Sequence, residues 1–209
     1  MKIVVLAANG KVGSLIVKEA VDRGNDVTAV AREENKTVAK KFLKKDILDL
    51  TENDLKDFDV VITAFGAWTE DTLPLHKTTL EHLSDILANK NTRLLVVGGA
   101  GSLYTDDSLK TQLYQTPDFP ASYMPVAVNM SKGLDVLRKR NDVKWTYISP
   151  AADFEFDYER KGDYQLAGEV FMVNAKGESK ISYADYAIAM VDEAEKGNHI
   201  NQRISVLWK

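Results

Sequence analysis

The sequence contains no cysteine. That excludes a thiolate nucleophile, an iron–sulfur cluster, a Cys-ligated zinc ion and a redox-active disulfide. Histidine is scarce. His76, His82 and His199 do not form the paired helical spacing of a zinc site, so no metal centre is expected. Positive charge is outnumbered: 27 Lys and Arg face 31 Asp and Glu, for a net charge of −4. This balance argues against nucleic acid or an anionic membrane as the main partner. No apolar run approaches the ~18 residues of a membrane span. The opening MKIVVLAANG lacks the long apolar stretch and cleavage site of a secretory leader. A cytoplasmic protein that neither enters the membrane nor binds nucleic acid is expected.

What is present is an alternation of short apolar runs with longer helical patterns. Ile3–Leu6, Val27–Val30, Asp59–Thr63, Arg93–Val97 and Lys144–Ile148 read as strands, with a further strand over Phe42–Asp46. Helices are predicted over Val12–Arg23, Leu73–Ala88 and Ser122–Arg140, with a short polar one over Lys36–Lys41. Strands separated by helices imply βαβ units, and about six of them by residue 150 imply a Rossmann-type, doubly wound parallel sheet. The chain of 209 residues suits one such domain. Residues 1–150 are expected to form a cofactor-binding core and 151–209 a small substrate-side region. In that region Gln165–Val173 reads as an antiparallel or edge strand, Ser182 as the cap of a helix over Tyr183–Glu195, and Arg203–Leu207 as a last strand. The polar stretch 104–120 is a long loop, either a lid or a surface insertion.

Ala7-Ala8-Asn9-Gly10-Lys11-Val12-Gly13 lies between the first strand and the first helix. There, backbone N–H groups and the helix dipole can hold a pyrophosphate. Gly10 allows the phosphate to approach, Gly13 allows the helix to pack close to the strand, and Asn9 is expected to hold the pyrophosphate with them. Only two of the three glycines of the dinucleotide fingerprint are present; alanine fills the first position. The second strand ends at Ala31-Arg32, with no acid at its tip to hold a ribose hydroxyl. Arg32 suits a 2′-phosphate, which favours NADP(H) over NAD(H), although Glu33 and Glu34 follow and could serve a ribose instead. Lys36 could join the same pocket. Asp46 and Ile47 are placed to flank the adenine, and Ala64, Phe65 and Gly66 to line the ribose side.

The ligand of an open α/β sheet sits beyond the carboxyl ends of its strands. Gly98-Gly99-Ala100-Gly101-Ser102 is a run of small residues at one such end, either a flexible turn or space for flat rings beside the backbone; Pro150-Ala151 is a candidate opposite wall. A Tyr-x-x-x-Lys pair, the tyrosine acid/base of alcohol oxidation, is absent. None of the eight tyrosines has lysine four residues later, and the nearest frame places Val128 before Lys132. Ser102 remains as a weak proton donor, and Lys132 as a contact to the nicotinamide ribose. Hydride transfer to a flat acceptor needs mainly stacking and orientation. The missing pair therefore points to a flavin- or quinone-like small-molecule acceptor, or to no turnover.

AANGKVGSLIVKEAVDRG, VVGGAGSL, WTYISPAADF and ISYADYAIAMVDE occur in this order across nearly the whole chain. Together they resemble the NmrA-like, NAD(P)-binding branch of the atypical short-chain dehydrogenases/reductases, in particular its NADH-flavin reductase subgroup. The resemblance implies a Rossmann fold, cofactor binding through Gly10 and Gly13, and a reacting site near Gly98 to Leu103 and Pro150. In that family the turn usually begins with glycine, where this chain has Ala7, and threonine is common where it has Asn9. The subgroup's cofactor is NADH, whereas Arg32 favours NADPH. The main reading is an NADPH-dependent reductase, with flavin as a candidate substrate. Its rival is a dinucleotide sensor that acts through a protein partner, and an epimerase or dehydratase is disfavoured by the missing tyrosine–lysine pair. A monomer or a homodimer fits the exposed faces of the long helices.

Overall fold

The computed structural model describes residues 1–209. Its elements, in chain order, are β1 (Lys2–Leu6), α1 (Lys11–Asp22), β2 (Asp26–Ala31), β3 (Lys41–Lys44), α2 (Glu52–Leu55), β4 (Val60–Thr63), α3 (Leu75–Ile86), β5 (Arg93–Val97), α4 (Met124–Arg138), β6 (Lys144–Ser149), β7 (Asp153–Glu155), β8 (Gln165–Ala167), β9 (Lys180–Ser182), α5 (Tyr183–Lys196) and β10 (Gln202–Leu207). The main sheet runs β3-β2-β1-β4-β5-β6-β10-β8. All of its pairings are parallel except that of β8 with β10. This is the doubly wound α/β order expected, extended at one edge by β10 and β8. β7 and β9 pair with each other in a small parallel sheet of their own.

The strands are apolar at nearly every position because both faces of the sheet are covered. Alternation assigns each residue its side. Ile3 and Val5 of β1 pack with Ile16, Val17 and Ala20 of α1 and with Ala187, Met190, Val191 and Ala194 of α5. Val4 and Leu6 pack on the other face with Leu80 and Leu83 of α3 and Leu134 and Leu137 of α4. Each such fully buried aliphatic side chain contributes ~1.5–3 kcal/mol. No helix is long and apolar enough to cross a membrane.

Three local readings of the sequence meet different outcomes. Ser182 does cap α5, its hydroxyl accepting from the Asp185 N–H at 3.0 Å. The antiparallel edge strand is there, but confined to Gln165–Ala167, and residues 169–171 pair instead with Tyr104. The helix expected over Lys36–Lys41 does not form. Asn35 and Thr37 use their side chains against the local backbone: Asn35 Oδ1 accepts from Thr37 N, Asn35 Nδ2 donates to Ala39 O, and Thr37 Oγ1 accepts from Ala39 N. Such bonds offer the backbone an alternative to the helix. The 104–120 stretch folds back on the end of β5, with Leu113 N donating to Leu103 O and Tyr114 N to Gly101 O.

Candidate cofactor and acceptor site

The turn after β1 has the shape of a phosphate cradle. Ala7 takes a left-handed conformation, φ 56°, and its carbonyl accepts from Gly10 N at 3.1 Å. Gly10 is extended (φ −70°, ψ 163°) and α1 follows with no side-chain cap and no acid in its first turn. The first-turn N–H groups, at Lys11, Val12 and Gly13, therefore lack a side-chain anion, which is the fit a pyrophosphate needs. Gly13 is buried, and a Cβ there would meet the Ala7 carbonyl oxygen at 2.6 Å. Asn9 does not reach into this cradle. Its Nδ2 donates to Glu34 O at 2.8 Å and its Oδ1 accepts from Lys36 N at 2.9 Å. The side chain thus braces the segment after β2 against the phosphate turn.

That segment presents Arg32, which is exposed and enters no ion pair, whereas the acids beside it are engaged: Glu33 with Lys36 at 2.9 Å and Glu34 with Lys44 at 2.6 Å. Asp46 is half-buried with its carboxylate accepting from Leu48 N, and Ile47 is buried in the core with Leu50 and Leu55. Ala64 and Phe65 are half-buried and Gly66 is exposed at the end of β4. Phe65 packs edge-on against His76 at 5.4 Å. Burial lowers the His76 pKa, and its Nε2 lies 3.0 Å from Ala67 O. The other imidazoles are also engaged, His82 with Leu50 O and His199 with Glu193.

The small run after β5 is required by its packing inside the protein. A Cβ on Gly98 would fall 2.3 Å from the Tyr147 ring, one on Gly99 2.9 Å from Met130 Sδ, and one on Gly101 2.6 Å from Ala127 Cβ. The glycines let this turn lie between β6 and α4. The Tyr147 hydroxyl accepts from Gly99 N at 3.2 Å, and burial pushes its pKa up to about 12, so it stays protonated near neutrality. Pro150 and Ala151 are buried at the end of β6.

Ser102 and Lys132 are not brought together as reacting groups. Ser102 is 2% exposed; its hydroxyl accepts from Arg203 Nη1 at 3.3 Å and its carbonyl from Nη2 at 3.2 Å. Lys132 is exposed, and α4 turns Ala127 and Met130, not Lys132, toward the glycine turn. The Ser102 hydroxyl, expected as a weak proton donor, is therefore a brace under a buried cation, and Lys132 is exposed on α4.

Arg203 was not among the residues singled out from the sequence. It sits on β10, 3% exposed, and donates to Ser102 of the turn after β5, to Ser149 Oγ at the end of β6, and to Glu169. Arg138 shares Glu169 at 2.7 Å. A lone arginine inside the apolar run RISVL was its one visible signal. An aromatic group was also missed. Phe154 lies 4.1 Å from Tyr183 between ring centroids, Phe156 5.9 Å from Tyr183, and Lys11 Nζ 5.2 Å from the Phe156 centroid. Burial, with Glu155 and Tyr123 nearby, raises the Tyr183 pKa. The alternation in Asp153-Phe154-Glu155-Phe156 carried that signal.

A parallel sheet of this order, with a glycine-bearing turn feeding an uncapped helix, defines a Rossmann-type dinucleotide-binding protein. The chain belongs to the NAD(P)H-binding family whose model matches residues 7–196, within the NmrA-like atypical short-chain dehydrogenases/reductases. It is similar to a Streptococcus pneumoniae TIGR4 protein of known structure, described as "a putative NADH-flavin reductase": 56% identity, all of both chains covered, TM-score 0.98. A Bacteroides thetaiotaomicron structure described as a "putative epimerase" is 34% identical over 99% of this chain and 96% of that one, with a TM-score of 0.86. The uncharacterized protein YwnB of Bacillus subtilis (strain 168) is 46% identical over 99% of this chain and 98% of its own.

Proposed function

We propose that the protein is a cytoplasmic NADPH-dependent reductase that delivers hydride to a flat acceptor such as a flavin or quinone. The observation that carries the cofactor preference is Arg32, exposed and unpaired at the end of β2 while Glu33 and Glu34 are held by lysines. A guanidinium there binds a 2′-phosphate through charge-assisted bonds. The N–H groups of Gly10 to Gly13 hold the pyrophosphate, and Asn9 keeps the Arg32 segment at a fixed distance from them. The bound nicotinamide supplies the hydride. Pro150 and Ala151 wall its ring, and the glycine turn from Gly98 is held in place by Tyr147 and Arg203. With Ser102 buried beneath Arg203, the proton that accompanies the hydride comes from solvent. The description of the S. pneumoniae relative supports a flavin as the acceptor.

The test is NADPH oxidation in the presence of FMN, FAD or menadione, beside a calorimetric titration of NADP+ and NAD+. Acceleration by at least one acceptor, and tighter NADP+ than NAD+, are expected. Tight dinucleotide binding without turnover over the whole panel overturns the reductase reading in favour of a sensor.

A further inference from the structure

We infer that Phe154, Phe156 and Tyr183, with Tyr123 beside them, form the shelf on which the acceptor's fused planar ring stacks. This rests on the reductase reading for its position and goes beyond it in assigning the residues. Topology puts the rings at one edge. Phe154 and Phe156 follow β6, so they leave its carboxyl end. α5 returns the chain to β10, which runs parallel to β6, so its first residue, Tyr183, lies at that same carboxyl edge. Tyr123 immediately precedes α4, the helix between the parallel strands β5 and β6, and α1 begins there too. Ligands of such sheets bind at this edge.

The arrangement is open where a ring would enter. Tyr183 packs tilted against Phe154 at 4.1 Å and edge-on to Phe156 at 5.9 Å. Phe154 is held from behind by Tyr186, 4.9 Å away, whose buried hydroxyl donates to Ile148 O. The outer members stay in solvent, Phe156 at 43% and Tyr123 at 54% exposure. An exposed apolar residue standing alone needs no explanation, but a contiguous group of exposed rings marks an interaction site. Lys11 Nζ over Phe156 ties the shelf to the phosphate turn, since Lys11 is the first residue of α1. A shelf beside that turn suits a flat ring laid next to a bound dinucleotide, and stacking tolerates isoalloxazine and naphthoquinone alike.

The experiment titrates riboflavin and FMN into the protein loaded with NADP+, following flavin fluorescence, for the wild type, Phe156→Ala and Tyr183→Ala. Menadione competes the flavin off in a further arm. Saturable quenching in the wild type, weakened about tenfold or more in each variant, is expected from the strength of ring stacking, with the NADP+ affinity unchanged. Equal quenching in wild type and both variants, or no saturable quenching in the wild type, overturns the shelf. NADPH oxidation by the same proteins scores the reductase reading separately. Binding on the shelf without turnover leaves the shelf standing and removes the reductase. Turnover with an unaltered acceptor KM in both variants does the reverse.

Discussion

Gly13 approaches Ala7 so closely that a Cβ on it would stand 2.6 Å from the Ala7 carbonyl oxygen. The pair sets how near α1 lies to the end of β1, and so where the first-turn N–H groups point. Gly13→Val should leave a folded protein that no longer binds NADP+ or NAD+ in a calorimetric titration. Retained affinity would mean that the dinucleotide is held elsewhere.

Ala7 carries the strain of the same turn, with φ at 56°. A left-handed residue with a Cβ costs ~1–2 kcal/mol, more than the ~0.4–1 kcal/mol of unfolded-chain freedom that glycine adds. Ala7→Gly should therefore raise the unfolding free energy by up to about 1 kcal/mol. A urea midpoint unchanged or lowered would show that the turn relieves the strain in another way.

Arg32 is the proposed reader of the 2′-phosphate. Arg32→Ala should weaken NADPH by about 1.5–3 kcal/mol, the worth of hydrogen bonds to a charged group, and leave NADH nearly unchanged. Equal losses for both cofactors would remove the role.

The Arg203 guanidinium joins Ser102, Ser149 and Glu169. Arg203→Met removes the cation and leaves the buried Ser102 and Ser149 oxygens without its N–H donors, while Glu169 keeps Arg138. It should destabilise the protein by about 3 kcal/mol, read by chemical denaturation. Arg138→Met, which touches Glu169 from a less buried position, should cost clearly less. A similar loss in both would mean that the shared carboxylate, not the link to Ser102 and Ser149, carries the stability.

Acid should loosen the contact between α1 and α5. Burial raises the Asp192 pKa, but bonds from Lys196, Tyr164 and Arg23 outweigh it and bring the carboxylate down to about 2. A folded-state pKa below the unfolded value of ~3.9 gives stability that is present above pH 4 and lost as the pH falls through 2. The loss should be about 1–2 kcal/mol between pH 5 and pH 2, given partial exposure. Asp192→Asn should lack this component. A parallel pH dependence in the two proteins would assign acid sensitivity to other groups.

The fold was legible because its signals are local. VVIT and RLLVV are buried on both faces, and such strands need only apolar runs of the right length. Ser182 announces its helix by chemistry confined to four residues. The phosphate turn was legible for the same reason, since Gly10 and Gly13 lie within one turn of each other. The stretch Lys36–Lys41 shows the limit: it has a helix-like pattern, but the side chains of Asn35 and Thr37 bond the local backbone instead. The turn after β5 was less legible because its geometry is set at a distance. Gly98 to Gly101 are small because of Tyr147, Met130 and Ala127, which lie far along the chain. Ser102 is closed off by a residue 101 positions later, and Lys132 takes its direction from how α4 docks.

The reach of Arg203 orders the birth of the site. During synthesis the phosphate turn and β1 to β6 leave the ribosome before β10 does. Until β10 is in place, Ser102 and Ser149 lack the cation that joins them. The tie between the turn after β5 and the end of β6 is thus made late, by a strand that follows both in the chain.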